Sequence, residues 1–348
     1  MEVPRACFVY KGPESLAKDT LLPGRDQLVD ILLEEYGIKS VFSSDSEASF
    51  HIGIDGVAVD SYQFAPSSES EVPVAERLLV GSDIDVILNR RGRSLQLAPE
   101  VRSLVPMFNS NEVRGMGHYK YRAHERVLEP LGIAMPTALV KTPDDAYIFM
   151  TEECASRDYI VKPEIGHGTK GVERLSAPEV FARLAENPGW LGRYLLQPAY
   201  DLTKPFPKEI KAFDSDSKDA FDAANESGKA KEIRMYGFHA GGETKTFPVA
   251  RVVDNGDHWF VVDPDSVPEL LHQKTQESMD LVARLTGVKA VQGTCDWAFG
   301  THDSQDPHWA VVEANLRSPY VYNQHSEVSR LLHGEFASQI AVAAGVRL

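Results

Sequence analysis

Asp158-Tyr159-Ile160-Val161-Lys162-Pro163-Glu164-Ile165-Gly166-His167-Gly168-Thr169-Lys170-Gly171-Val172-Glu173-Arg174-Leu175 carries several signals in succession. Asp158 to Lys162 reads as a strand, and Val172 to Leu175 as a returning one. Between them, Gly166 to Gly171 matches the pattern G-x-G-x-x-G. A dinucleotide-binding fold needs a helix directly after that loop, aimed at the pyrophosphate. Here the first helix start comes later, at Ser176, with Pro178 in the first turn and Glu179 three residues past the cap. A Walker A loop needs Ser or Thr after Gly-Lys, and Lys170 is followed by Gly171. What remains is a hairpin whose backbone N–H groups can cover a triphosphate. Protein kinases set such a loop before their lysine, whereas Lys162 precedes this one. A plain glycine-rich hairpin with a surface lysine gives the same string, so both readings stand here.

Two segments near the C-terminus bear on the choice. Gly293 to Phe299 and Trp309 to Asn315 read as strands, one holding Cys295-Asp296-Trp297 and the other Val311-Val312-Glu313-Ala314-Asn315. Residues two apart on a strand face the same way, so Glu313 and Asn315 project together. If the strands pair antiparallel through the polar turn from Thr301 to Pro307, Asp296 reaches the same point. Two carboxylates and an amide oxygen make a hard donor set of the kind magnesium takes alongside phosphate and water. Exposed polar residues on a half-buried sheet would look alike; the apolar run Trp309 to Val312 favours a covered metal site.

Upstream, strand and helix patterns alternate. Ala6 to Tyr10 is a short apolar run, Gln27 to Tyr36 has helical spacing and stops at Gly37, and Ser40 to Phe42 and Ile84 to Leu88 read as strands. Such alternation predicts an open α/β sheet. Arg90 and Arg91 follow the last of these strands, where the carboxyl ends of a sheet face ligand, and are candidates to hold a substrate carboxylate. A basic surface turn is the plainer alternative. Ser67 to Glu71 reads as a loop, Val105 to Asn109 as strand and turn, and Lys120 to Leu131 as a helix closed by Gly132. Further strands are expected at Tyr194 to Gln197, Ile233 to Phe238 and Thr246 to Val253, and a helix at Ser278 to Leu285, stopped by Gly287. Thr203 to Lys231, dense in charge, reads as a solvated surface insertion rather than a lid.

The 348 residues suffice for two or three compact units, and 43% hydrophobic with 25% charged residues is a globular balance. Lys and Arg number 36 against 51 Asp and Glu, a formal charge of −15 that disfavours nucleic acid and anionic lipid as partners. Cys7, Cys154 and Cys295 fit neither a zinc knuckle nor a disulfide framework. With no apolar N-terminal run, the expected location is the cytoplasm.

Taken in order from Asn109 to Arg317, these motifs resemble the ATP-grasp superfamily, closest to its glutathione synthetase-like and RimK-like carboxylate–amine ligases. The resemblance implies an α/β protein: an N-terminal open α/β sheet domain over residues 1–115, then a two-part ATP-grasp fold. Its first part, 116–192, carries the glycine-rich loop, and its second, 193–348, the metal site. Lys120 and Lys162 would contact phosphate beneath Gly168 of the loop. Gln197, Pro198, Ala199 and Tyr200 would form the hinge that holds adenine by main-chain groups. Glu232, in Glu232-Ile233-Arg234, would lie near the ribose, and Arg251 at the transferred phosphate. Asp296, Glu313 and Asn315 match the ligands of Mg2+ (or Mn2+), and Arg317 a position that meets substrate carboxylate or phosphate. Pro198 stands where an acid is common, Lys170 where a small residue is usual, and the hinge-to-Glu232 spacing is long.

The activity so implied is an ATP-dependent carboxylate–amine ligase acting on amino acids or small peptides. An acyl phosphate would form, an amine would replace the phosphate, and ADP and phosphate would be released. Lys162, Arg251 and Arg317 would be the catalytic cations, and the partners small molecules, with a homodimer common among look-alikes. A peptide or protein side chain as acceptor, phosphoryl transfer without ligation, and a non-catalytic nucleotide-binding regulator are the alternatives.

Overall fold

Short apolar runs joined by helical segments build the first layer. The computed structural model describes residues 4–10, 25–44, 61–63, 84–89, 105–166, 170–202, 204–213, 215–253, 257–301, 307–316 and 326–347. In it β1 (Arg5–Tyr10), β2 (Lys39–Ser44), β3 (Ser61–Gln63), β4 (Val86–Asn89) and β5 (Met107–Phe108) form a sheet in the order β3-β2-β1-β4-β5. Every pair is parallel, and the order reverses between β1 and β4. Helix α1 (Arg25–Glu34) covers this sheet with Leu28, Val29, Ile31 and Leu32. The expected open α/β sheet is therefore present. The Ser67 to Glu71 loop lies outside the described residues.

After β5 the backbone turns through Asn109 at φ 59°, the one non-glycine residue with positive φ among those described. Helix α2 (Asn111–His118) follows, its start capped by the Ser110 hydroxyl, which accepts from Val113 N–H at 3.3 Å. Helix α3 (Lys120–Ala123) then widens into a π-helical turn, His124–Leu128, so the helix expected to Leu131 is α-helical for only its first turn. A four-stranded antiparallel sheet comes next: β6 (Ala138–Leu139), β7 (Asp158–Pro163), β8 (Glu173–Ser176) and β9 (Tyr194–Pro198), in the order β6-β9-β7-β8. Helices α4 (Pro143–Ile148) and α5 (Ala177–Glu186) flank it over a core of Val140, Phe149, Tyr159, Val161, Val180 and Leu196. The Glu179 carboxylate accepts from Ser176 N–H at 2.7 Å, as the cap pattern predicts. Because β7 and β8 pair directly, the glycine stretch connects a hairpin and no helix follows it.

The segment read as a solvated insertion is instead built into the core. Helix α6 (Ser215–Glu226) buries Phe221 completely, beside Phe206 and Ile210. The Asn225 side chain accepts from Phe206 N–H at 2.7 Å and ties the preceding irregular stretch to the helix. Only one face of α6 is charged, and that face dominates its composition.

A second five-stranded sheet is antiparallel throughout: β10 (Ala230–Ala240), β11 (Glu243–Val253), β12 (Asp257–Val261), β13 (Ala290–Gly300) and β14 (His308–Asn315), in the order β12-β11-β10-β13-β14. Gly241 and Gly242 join β10 to β11 with φ of 60° and 86°, a tight turn that favours glycine at both positions. A Cβ on Gly241 would also stand 2.5 Å from Val342 Cγ1. Helix α7 (Glu269–Thr286) packs Leu271, Met279 and Val282 against Met235, Val291, Cys295 and Trp297 on one face. Helix α8 (Ser326–Ala343) covers part of the other, where Phe336 stacks on Phe238 with centroids 4.9 Å apart and joins the core under α1. The cysteines of the chain are buried and free, and among the described residues no helix is long and apolar enough to cross a membrane.

Candidate active site

The face of the second sheet that meets α8 changes character along its strands. Tyr236, Phe238, Phe247, Val249 and Ala290 make it apolar at one end. At the other end stand Glu232 and Arg234 of β10, Arg251 of β11, Asp296 of β13, and Glu313 and Asn315 of β14. Asp296 pairs with Glu313 while Trp297 pairs with Val311, which leaves Val312 as the extra residue of a β-bulge. The bulge frees the Val312 carbonyl from the ladder. That oxygen accepts from Lys162 Nζ of β7 at 2.9 Å and from Gln197 Nε2 of β9 at 3.3 Å, stitching the smaller sheet to β14. A further bridge joins Ala134 to Val311.

Ion pairs link the charged residues. Lys120 Nζ lies 3.0 Å from Glu313 Oε2. Arg234 grips Asp296 in a fork, Nε to Oδ1 and Nη2 to Oδ2, both at 2.7 Å. Asp296 also accepts from Asn315 Nδ2 at 3.1 Å and from the Thr294 hydroxyl at 3.3 Å. Arg251 Nη1 reaches Glu232 Oε1 at 3.2 Å. Burial governs the protonation of several members. It pulls Lys162 down to about 8, against the pull of Glu313, with Lys120 adding to the drop. Glu232 is lifted to about 7 by burial and the nearby Asp296 charge, which outweigh Arg251 and Arg234. For Arg234, burial disfavours the charge, but the Asp296 carboxylate more than restores it and the pKa lies above the usual range. His124 of the π-turn is pushed down to about 4 by burial and by Lys162, so it is neutral at pH 7.

The structure thus brings together most of the sequence candidates: Lys120, Lys162, Gln197, Glu232, Arg251, Asp296, Glu313 and Asn315. Pro198 and Ala199 follow Gln197 at the end of β9, where Ala199 N–H is already donated to Asp158 O at 2.9 Å. Tyr200 is buried, with its hydroxyl 2.9 Å from His308 Nε2. Gly168, Arg90, Arg91 and Arg317 lie outside the described residues.

Sequence reasoning gave no task to Arg234, although its i+2 spacing from Glu232 places both on one face. It also overlooked Thr137, whose hydroxyl accepts from Gln197 Nε2 at 2.8 Å, and the Val312 carbonyl. Among the described residues no group of three or more His, Cys, Asp and Glu side chains converges as a metal site. The expected set has two carboxylates, and its third member is the Asn315 amide.

As a donor set these residues fit a hard divalent cation. Asp296 and Glu313 are directly opposed across the β13–β14 pair, and Asn315 lies beside Asp296 with its Nδ2 donating to Oδ2, so two carboxylates and an amide share one end of the sheet. Each carboxylate already has a cationic neighbour of the chain, Arg234 or Lys120, which lets like charges stand side by side.

No protein-family model matches the sequence. No curated protein matches it either. Solved structures do. The ADP complex of N5-carboxyaminoimidazole ribonucleotide synthetase superposes with a TM-score of 0.58 at 13% identity, over 100% of this chain and 78% of that one. D-alanyl-alanine synthetase A from Vibrio cholerae gives 0.56 at 10% identity, over 99% of this chain and 98% of that one. The biotin carboxylase domain of the Hydrogenobacter thermophilus 2-oxoglutarate carboxylase, solved with MgADP, ADP and bicarbonate, gives 0.56 at 14% identity, over 100% and 71%. At such identities the likeness is one of fold.

Proposed function

This chain has the fold of the ATP-grasp superfamily, and on that premise we propose that it is an ATP-dependent ligase that joins a small carboxylate to an amine. The observation that carries the reading is the Val312 bulge. It ties Lys162 and Gln197 of one sheet to the strand that bears Glu313 and Asn315, so that the Lys162 cation lies beside the proposed oxygen donors. The structures it resembles include two synthetases, one of them an ADP complex, and a biotin carboxylase domain solved with MgADP, which supports ATP as the substrate.

In the reaction, a carboxylate oxygen attacks the γ-phosphorus of ATP, and ADP leaves. An amine then attacks the acyl carbon, and phosphate leaves. Phosphoryl transfer spreads negative charge over the moving group, and the chain's contribution is to meet it with fixed cations. Lys120 and Lys162 would take the phosphates, and Arg251 the transferred group. Gln197, held by Thr137, sets the end of β9 where the adenine hinge would begin. Arg234 holds Asp296 in one orientation from the neighbouring strand. Asp296, Glu313 and Asn315 would hold Mg2+ or Mn2+, which when bound neutralises phosphate oxygens as a Lewis acid. Arg90, Arg91 and Arg317 are proposed to meet the substrate carboxylate. Amino acids and small peptides are the proposed substrates, and the cytoplasm the proposed location.

The direct test is release of ADP and phosphate from MgATP with pairs of amino acids and dipeptides, with the product identified by mass. An amide product supports ligation. A stable phosphate ester, or no turnover with any pair, would defeat it.

Because Lys162 titrates near 8 in the nucleotide-free chain, its positive charge is present below that pH and is lost above it. ATP affinity, measured by calorimetry without acceptor substrates, is therefore expected to fall by up to about tenfold as pH rises from 7 to 9. Lys162→Arg keeps its charge throughout and should flatten the profile. An unchanged slope in that variant would remove Lys162 from the phosphate site.

A further inference from the structure

A cavity of about 560 Å³ opens at the far end of the second sheet, away from the charged cluster. It lies where the β10–β11 turn, the C-terminal end of α8 and the amino ends of β4 and β5 come together. His239, on its wall, is five residues along β10 from Arg234, roughly 17 Å of strand. Ligands of parallel sheets sit at the carboxyl ends of the strands. This cavity is at the opposite end, so it is separate from the proposed ATP cleft. Its size is in the usual range for small-molecule sites.

Ile84, Val105, Pro106 and Val342 supply the apolar half of its walls. The polar groups differ in sign. Lys289 brings an ammonium to one part of the lining. Against it stand several acceptors. His239 Nδ1 lies 2.8 Å from Asp280 Oδ1, and the same oxygen accepts the Thr244 hydroxyl at 2.6 Å. A carboxylate only accepts, so Nδ1 carries the proton, and in the neutral form of the ring Nε2 presents a lone pair. Nε2 makes no hydrogen bond among the described residues. At the end of α8, Gly345 has φ 80°, Val346 N–H donates to Ala341 O and Gly345 N–H to Val342 O, each at 3.0 Å. This cap takes up two carbonyls and leaves those of Ala343 and Ala344 outside it, at the negative end of an 18-residue helix. Asp85 adds a carboxylate, one oxygen of which accepts Arg5 N–H at 2.8 Å.

We propose that this cavity binds a zwitterion with an apolar side chain, an amino acid or a short peptide. Its carboxylate meets Lys289, and its ammonium meets His239 Nε2 and the carbonyl end of α8. Binding there requires neither nucleotide nor the charged cluster, so it stands independently of the ligase reading. A single amino acid and a dipeptide share this chemistry, and the two probes separate them.

The test is titration calorimetry on the full chain without nucleotide, using L-leucine in one arm and L-leucyl-L-leucine in the other. Saturable binding is expected in at least one arm, about tenfold or more weaker with the N-acetylated probe and with the amidated probe, each lacking one charge. Lys289→Met and Ala344→Phe should each weaken it by a similar factor, and Lys289→Arg should restore most of it. Melting curves of both variants check that the fold is kept, and Glu313→Gln should bind as the parent does. The absence of saturable binding in both arms overturns the proposal. So does binding that survives Lys289→Met and Ala344→Phe, or that Glu313→Gln removes.

Discussion

Asp296→Asn is expected to damage both the fold and the reaction, lowering the unfolding free energy by about 3–5 kcal/mol and ATP turnover by about a thousandfold or more. The first effect follows from Arg234. Its guanidinium is largely buried and is held by two hydrogen bonds of 2.7 Å to the Asp296 carboxylate. Asparagine keeps the shape but has no charge, and one of its two terminal atoms is an NH2 that would point at an N–H. The buried cation is then left with Glu232 as its nearest counter-charge, and Glu232 already faces Arg251. Asn315 Nδ2 and the Thr294 hydroxyl also lose an acceptor of full charge. The second effect follows because Asp296 is one of the proposed metal donors. Urea unfolding followed by circular dichroism reads the first, and ADP release reads the second. A parent-like midpoint would show that the Arg234–Asp296 fork carries no net stability, and parent-like turnover would remove Asp296 from the reaction.

The fold was legible where local pattern and long-range pairing agree. The strand–loop–strand order at Lys162 excluded a dinucleotide fold and the hairpin is there. Two-residue periodicity placed Glu313 with Asn315, and the antiparallel pair brought Asp296 to them. The bulge at Val312 was not legible, because Val311-Val312-Glu313 alternates like any strand and the extra residue is defined only by what pairs with it. Helix α2 was missed for a related reason: Gly115 and Gly117 depress helix propensity. Gly117 is needed nonetheless, since a Cβ there would stand 2.7 Å from Leu316 Cβ, next to Asn315. Composition misled at α6. Its charged face makes the segment read as solvated, while one aromatic, Phe221, anchors it in the core. A consequence is that deleting 203–231 would remove core residues as well. For the site, the sequence named the charged residues but not the Arg234–Asp296 partnership, which depends on a register between β10 and β13 that no local signal specifies.

Glu313→Gln is expected to separate what Asp296→Asn combines: turnover falls by about a thousandfold, while stability changes by about 1 kcal/mol or less. Glu313 is more open than Asp296, with 24% of its side chain exposed against 6%, and its ion pair is with Lys120 on a neighbouring helix. Glutamine has the same shape, so Val312 and its bonds to Lys162 and Gln197 need not shift. A partly exposed ion pair contributes less to folding than the more buried Arg234–Asp296 fork, and its loss leaves Lys120 beside the cleft, where solvent or phosphate can reach it. The reaction is more demanding. An amide oxygen is a weaker donor to a divalent cation than a carboxylate, and the proposed metal set would keep only one charged ligand. ATP binding without metal should be retained or slightly strengthened, because Lys120 no longer has an anionic partner competing with phosphate. Calorimetry in the presence and absence of Mg2+ distinguishes the cases. If Glu313→Gln abolishes the Mg2+-dependent part of ATP affinity and spares the rest, Glu313 acts through the cation. If both parts are unchanged and turnover persists, the cleft beside the Val312 bulge is not where phosphate is transferred.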